Sequence, residues 1–189
     1  MHDISESAAP DPRSDSLRER VRRICQTVRY AALAWFAWTT LLTFWVWLHR
    51  AEYLDKSLRF HGIDPAGVSE LGYWGGFATM IVDLGAVAWL VSTIWRLMQG
   101  YIDGQIFTVA ASQKLRAVAV AGFLATAVDI VMRIASVALV STALLAKLPA
   151  WRWLDPQHLL YALICGFLLA LAAIFKTAAE IVEDNAQIV

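Results

Sequence analysis

The sequence predicts an all-α polytopic membrane protein with four transmembrane helices and both termini in the cytoplasm. Of its 189 residues, 59% are hydrophobic and 17% are charged. Soluble domains are about 45–50% apolar, so the excess is expected to face lipid. It lies in four runs, at residues 30–48, 71–95, 117–146 and 159–175. These runs lack the alternation of barrel strands, and a helix of about 20 residues crosses a hydrocarbon core of about 30 Å.

The segment before the first run divides into two parts. Residues 1–16 are polar with two prolines and are expected to form a disordered tail. Residues 17–29 place apolar side chains at helical spacing, with arginines on the other faces, which predicts a basic amphipathic juxtamembrane helix. We expect this helix to bind anionic lipid headgroups rather than a partner protein. The arginines assigned to headgroups are Arg18, Arg22, Arg23 and Arg29.

Residues 30–189 are expected to form one four-helix transmembrane domain. Its helices are predicted at about 30–48, 73–98, 117–146 and 157–183, with a short helix around Leu54 and Leu58 in the first loop. Ten Lys and Arg residues lie before the first helix, in the second loop or after the fourth apolar run. Only five lie in the first and third loops. The positive-inside rule therefore places both termini in the cytoplasm.

The sequence contains none of the common catalytic signatures. There is no H-E-x-x-H, G-x-S-x-G, phosphate-binding glycine loop or C-x-x-C, so we expect no enzymatic activity and no cofactor. His49, His61 and His158 are predicted on the outer side, near acidic residues but without metal-ligand spacing, so no metal is expected. Nothing indicates direct binding of nucleic acid.

Three charged residues lie within the apolar runs: Asp83, Asp129 and Arg133. Asp129 and Arg133 are four residues apart with the acid first, which is the favourable order for an ion pair on a helix. Each charge alone costs about 2.5–3.5 kcal/mol at the bilayer centre. We therefore expect the three to form an intramembrane charge cluster, in which Arg133 pairs with Asp129 or Asp83. The cluster either fixes helix packing or binds a proton or cation, and the sequence favours the structural role.

The stretch "YIDGQIFTVAASQKLRAVAV" and the ending "IFKTAAEIVEDNAQIV" resemble the domain-of-unknown-function 2975 family of small bacterial membrane proteins. The resemblance covers residues 30–189. Its inner loop has an acidic-glycine turn, a Phe-Thr step and a Leu-Arg element. The residues that match in order are Asp103, Gly104, Phe107, Thr108, Leu115 and Arg116.

This resemblance implies a multi-pass protein of the bacterial inner membrane with four helices. It also suggests the leading functional hypothesis, a non-enzymatic protein that binds or sequesters a cytoplasmic helix-turn-helix regulator. The alternative is a small proton- or ion-coupled transport component that uses Asp83, Asp129 and Arg133. The lipid bilayer is the expected partner, and homo-oligomerisation is left open.

Charges at the inner face are expected to join the two family-like segments. The helix macrodipole makes acidic residues unfavourable at the C-terminal end of a helix, so nearby basic residues are expected to offset their charge. The acids are Glu180, Glu183 and Asp184, and the bases are Arg96, Lys114 and Arg116.

Overall fold

The structure, a computed structural model, describes residues 12–60, 64, 67–105, 108–140 and 155–186. Its helices are α1 (Pro12–Leu48), α2 (Arg50–Phe60), α3 (Glu70–Ile102), α4 (Val109–Val140) and α5 (Pro156–Ala186). Helices α1, α3, α4 and α5 are each long and apolar enough to cross a membrane. The expected all-helical class and its four long apolar helices are therefore confirmed.

The bounds of the first helix differ from the prediction. Helix α1 begins at Pro12, so residues 12–16 are helical although the sequence predicts a disordered tail there. Proline is well tolerated in the first turn of a helix because its missing N–H would have no intrahelical partner. The basic segment 17–29 continues directly into the first apolar run within α1. Residues 1–11, and residues 141–146 of the predicted third membrane helix, lie outside the described residues.

A tight hairpin joins α3 to α4. Gly104 has φ +83°, and its N–H donates to the carbonyl of Tyr101, while the N–H of Gln105 donates to the carbonyl of Gly100. These bonds form a Schellman motif, in which glycine takes the left-handed position. After the turn, the Thr108 hydroxyl accepts the N–H of Ala111 and caps α4. The inner-loop motif therefore ends one helix and begins the next.

The long helices pack antiparallel and in a row. Helix α1 contacts α3, α3 contacts α4, and α4 contacts α5, whereas α1 and α5 do not contact within the described part of the chain. We call the end of the row that holds the α3–α4 turn the hairpin end, and the opposite end, which holds α2, the loop end. Since antiparallel packing sets the depth of every residue, side chains far apart in sequence can meet at one level.

Small residues on α4 let its neighbours approach closely. Ala119 and Ala121 have no exposed surface, and a Cβ atom at Gly122 would lie 2.5 Å from Sγ of Cys165 on α5. On the α3 side, Gly72 lies against the backbone of Leu139. Towards the hairpin end, Leu97, Leu115, Val118 and Ala172 of three helices form the apolar core. Close backbone approach through small residues is typical of helices that pack in membranes.

Replacing Gly122 by Ala should therefore destabilise the α4–α5 contact. The new methyl group would overlap Sγ of Cys165, and overpacking of this kind costs about 1–3 kcal/mol. Thermal denaturation in detergent should show the loss, and Cys165→Ala should restore most of it by removing Sγ. Gly166→Ala on α5 is the matched control, because no atom lies within 4 Å of its new Cβ. Equal stability of the two single variants would contradict this packing.

Candidate functional site

The carboxylate of Asp129 on α4 accepts hydrogen bonds from two side chains. Arg133, one turn further along α4, donates from Nε to Oδ1 at 3.2 Å, and the same nitrogen lies 3.1 Å from Oδ2. His158 in the first turn of α5 lies with Nε2 2.7 Å from the same oxygen. The His158 side chain is 5% exposed and that of Asp129 is 29% exposed, so their bond is largely removed from the surroundings. Asp129 thus joins α4 to α5.

The cap of α5 determines the orientation and the tautomer of His158. Asp155 precedes Pro156, and its carboxylate accepts the N–H of Gln157. The backbone N–H of Asp155 in turn donates to Nδ1 of His158 at 3.1 Å. This is a reciprocal capping box in which the imidazole replaces the usual Glu or Gln side chain. A ring nitrogen that accepts a hydrogen bond carries no proton, so the proton is on Nε2 and points at Asp129.

The carboxyl group of Asp83 on α3 lies near Asp129 and Arg133 but is not hydrogen-bonded to either of them. It interacts electrostatically with both Asp129 and Arg133. Its Oδ1 atom is buried and has no hydrogen-bond partner among the described residues. With Asp83 and Asp129 ionised, Arg133 positive and His158 neutral, the four side chains carry one net negative charge. A buried, unpaired carboxylate oxygen is costly, so it needs a functional or chemical explanation.

The arrangement differs from the triad expected from the sequence. Arg133 contacts Asp129, but no ion pair within 4.0 Å joins it to Asp83 in the described residues. The Arg133 side chain is 55% exposed. His158, predicted on the outer side without a metal-binding role, is the more buried partner. The Asp155-Pro156 cap in the sequence signals the start of α5, but not the depth at which α4 would meet it.

The cluster combines acid–base groups but lacks the features of other common sites. The described residues include no group of three His, Cys, Asp or Glu side chains placed to hold a metal ion. Cys165, the nearest thiol along α5, is buried against Gly122 two turns away. Two carboxyl groups and an imidazole can accept, hold and release protons. Proton exchange is therefore the chemistry that these residues support.

The described residues of the family-like motif lie in the α3–α4 turn and in the first turns of α4. Asp103 and Gly104 lie in the α3–α4 turn, and Thr108 caps α4. Leu115 is in the apolar core, whereas Arg116 is exposed. Phe107 lies outside the described residues.

Among the described side chains, the basic residues predicted at the inner face form no ion pair with Glu180 of α5. Glu180 pairs with Lys176 on its own helix at 3.5 Å, and Lys114 donates to Gln105 at 3.3 Å. Arg96 is exposed. The side chains of Glu183 and Asp184 lie outside the described part. Side chains one helical turn apart lose less entropy on pairing than side chains on different helices. This explains why Glu180 pairs with Lys176.

The arginines assigned to lipid headgroups occupy different surroundings. Arg29 stacks on Trp95, with its guanidinium carbon 3.6 Å from the ring centroid, and donates to Gln99 at 2.6 Å. Arg23 pairs with Glu19 one turn earlier, and Arg22 is exposed. The side chain of Arg18 lies outside the described residues. Arg29 therefore fastens α1 to α3 at the hairpin end.

The fold and the cluster define an all-helical protein with four helices of membrane-spanning length and a buried acid–base group. No protein-family model, curated protein or solved structure matches the chain significantly. The resemblance to the domain-of-unknown-function 2975 family thus stays a prediction, and the function must be argued from the residues.

The two partners of Asp129 should contribute unequally to stability. His158→Leu removes a nearly buried donor and leaves the N–H of Asp155 without its acceptor, so the free energy of unfolding should fall by about 1–3 kcal/mol. Arg133→Leu removes a half-exposed ion pair and should cost less than about 1 kcal/mol. Unfolding of both purified variants by titration with a denaturing detergent measures the difference. The reverse order would show that Arg133, not His158, holds Asp129.

Proposed function

We propose that the chain is inserted in the bacterial inner membrane with its hairpin end in the cytoplasm. Charge distribution supports this orientation, because Arg29, Arg96 and Lys114 lie towards the hairpin end and the loop end is poorer in bases. Asp83 precedes Arg96 by 13 residues, or roughly 20 Å of helix. In a hydrocarbon core of about 30 Å, this depth lies about two thirds of the way from the cytoplasmic side.

We further propose that the chain is a small proton-coupled transport component, with Asp83, Asp129 and His158 as its proton-binding site. The observation that carries this proposal is the buried Oδ1 of Asp83, which has no hydrogen-bond partner among the described residues although Asp83 interacts electrostatically with Asp129 and Arg133. One proton on Asp83 neutralises the net charge of the cluster. Intramembrane carboxyl groups mark proton pathways in many transporters because unneeded charges there are costly.

The geometry assigns separate roles to the three groups. Asp129 accepts hydrogen bonds from Arg133 and His158. His158 can accept a second proton only at Nδ1, where it would lose the bond from the Asp155 N–H. Protonation of His158 therefore opens the cap of α5, whereas protonation of Asp83 breaks no bond at Oδ1. Asp83 is the group that binds the proton at the lower cost.

The regulator-binding hypothesis is a second candidate with one supporting observation. Near the C-terminal end of α5, Ile181 and Val182 are 55% and 68% exposed. They follow Lys176 and lie at the end of the span Pro156–Val182, where the helix leaves the apolar run 159–175. An apolar pair at the cytoplasmic end of α5 is a contact point for a soluble regulator. This role needs no titratable group, so it does not depend on Asp83.

Infrared difference spectroscopy between high and low pH tests the proton site in the purified protein. The wild type should show the C=O band of a buried protonated carboxyl group, and Asp83→Asn should abolish that band because Asn cannot bind the proton. Proton flux in proteoliposomes under an imposed pH gradient should fall at least about tenfold in the same variant. Glu180→Gln, which changes an exposed acid near the hairpin end, is the control. A band unchanged in Asp83→Asn would contradict the assignment and leave regulator binding as the better candidate.

Topology is tested separately by reporter fusions. A periplasm-active reporter fused after Val189 should be silent, because the basic residues hold the hairpin end and the termini in the cytoplasm. The same reporter inserted after Gly67 at the loop end should be active. Activity at both positions would overturn the proposed orientation.

A further inference from the structure

The loop end contains an aromatic pocket separate from the acid–base cluster. Its volume is about 340 Å³, within the usual size range of small-molecule sites. The pocket opens between the end of α1 and the beginning of α3. It is lined by Phe44, Trp47, Leu48, Arg50, Glu70, Tyr73, Trp74 and Phe77. Five of these eight residues are aromatic, one is basic and one is acidic.

The aromatic rings converge on Phe77. The ring of Trp47 lies 5.2 Å from that of Phe77, and those of Phe44 and Trp74 lie 5.9 and 6.0 Å away, all in edge-to-face geometry. The indole N–H of Trp47 donates to Sδ of Met80 at 2.8 Å and so fixes the ring. Interfacial Trp and Tyr residues usually lie separately in the headgroup layer. The packing of three rings around Phe77 is not explained by that preference.

A cation already lies against one of these rings. The guanidinium carbon of Arg50 is 5.1 Å from the centroid of Tyr73, within cation–π range. The Tyr73 hydroxyl donates to Asp55 at 2.8 Å, which increases the electron density of the ring. Arg50 also pairs with Glu70 at 3.3 Å, and both side chains are substantially exposed. The guanidinium thus occupies a position suited to a positive group and is held there by an exposed, weak ion pair.

The charges and rings that line the pocket favour a cationic ligand over an anionic one. Glu70 supplies one carboxylate at the pocket and Arg50 one positive charge, so the site is net negative once Arg50 moves aside. An apolar anion would meet aromatic rings and the carboxylate of Glu70. A cation with apolar substituents would meet favourable ring faces throughout. A strongly hydrated metal ion finds no cluster of oxygen ligands among the described residues.

We propose that this pocket binds a quaternary ammonium group with an apolar arm, which displaces Arg50 from Tyr73. The aromatic rings enclose the ammonium and its arm, and Glu70, released from Arg50, faces the positive charge. The group is either the headgroup of a choline lipid or a free lipophilic cation, since both share this chemistry. The pocket is independent of the proton-binding role of Asp83, which lies six residues further along α3 than Phe77.

The test uses the full chain in nanodiscs of phosphatidylglycerol, with benzyltrimethylammonium as the probe in isothermal titration calorimetry. The cation should bind, whereas phenylmethanesulfonate, an anion of similar shape, should not. Trp47→Leu and Trp74→Leu should each weaken binding by about tenfold, because each removes one aromatic face. Trp38→Leu is the matched control, since Trp38 lies on α1, is 68% exposed and does not line the pocket.

Two charge variants give opposite expected signs. Arg50→Gln should tighten binding several-fold because it removes the internal competitor over Tyr73, and Glu70→Gln should weaken it several-fold. Loss of binding in Arg50→Gln, or preference for the anion, would overturn the proposal and assign the pocket to an anionic ligand. Weaker binding in phosphatidylcholine nanodiscs than in phosphatidylglycerol would identify the lipid headgroup as the occupant. Equal binding in both would identify a free cation.

Discussion

The structure depends on the close approach that small residues of α4 allow. Ala119 and Ala121 have no exposed surface, and Gly122 leaves no room for a side chain against Cys165. Because larger residues would separate α4 from its neighbours, this face sets the register of α3 and α5 against it. The register in turn places Asp129 opposite His158 and near Asp83. The acid–base cluster is thus a consequence of apolar packing rather than its cause.

Helix termini perform a second task in this protein. A chain in lipid must satisfy its backbone groups internally, so each helix end requires a cap or water. At the hairpin end, Gly104 and Thr108 satisfy this need with a minimum of residues. At the start of α5, Nδ1 of His158 accepts the backbone N–H of Asp155 and so caps the helix. The ring proton is then on Nε2, which points at Asp129. The protonation state of the site is therefore tied to the fold of one helical turn.

Two separate groups of residues, one polar and one aromatic, lie towards the loop end. The cluster around Asp129 joins α4 to α5, while the rings around Phe77 join α1 to α3. Both use α3 as their common wall, and Asp83 and Phe77 are separated by roughly 9 Å of helix. The hairpin end, by contrast, is held by apolar core residues and by Arg29 on Trp95. The apolar core cluster and the candidate sites therefore lie towards opposite ends of the molecule.

The sequence by itself determined the all-helical class, the number of long apolar helices, and the ion pair between Asp129 and Arg133, because all three follow from local composition and one-turn spacing. It also indicated the turn at Gly104. It could not assign His158 to Asp129, nor separate Asp83 from Arg133, because those distances depend on the positions of α5 and α3 along α4. That displacement is set by side-chain volumes on facing helices, which no single segment contains. Only the tertiary structure decided which buried charge was left without a partner.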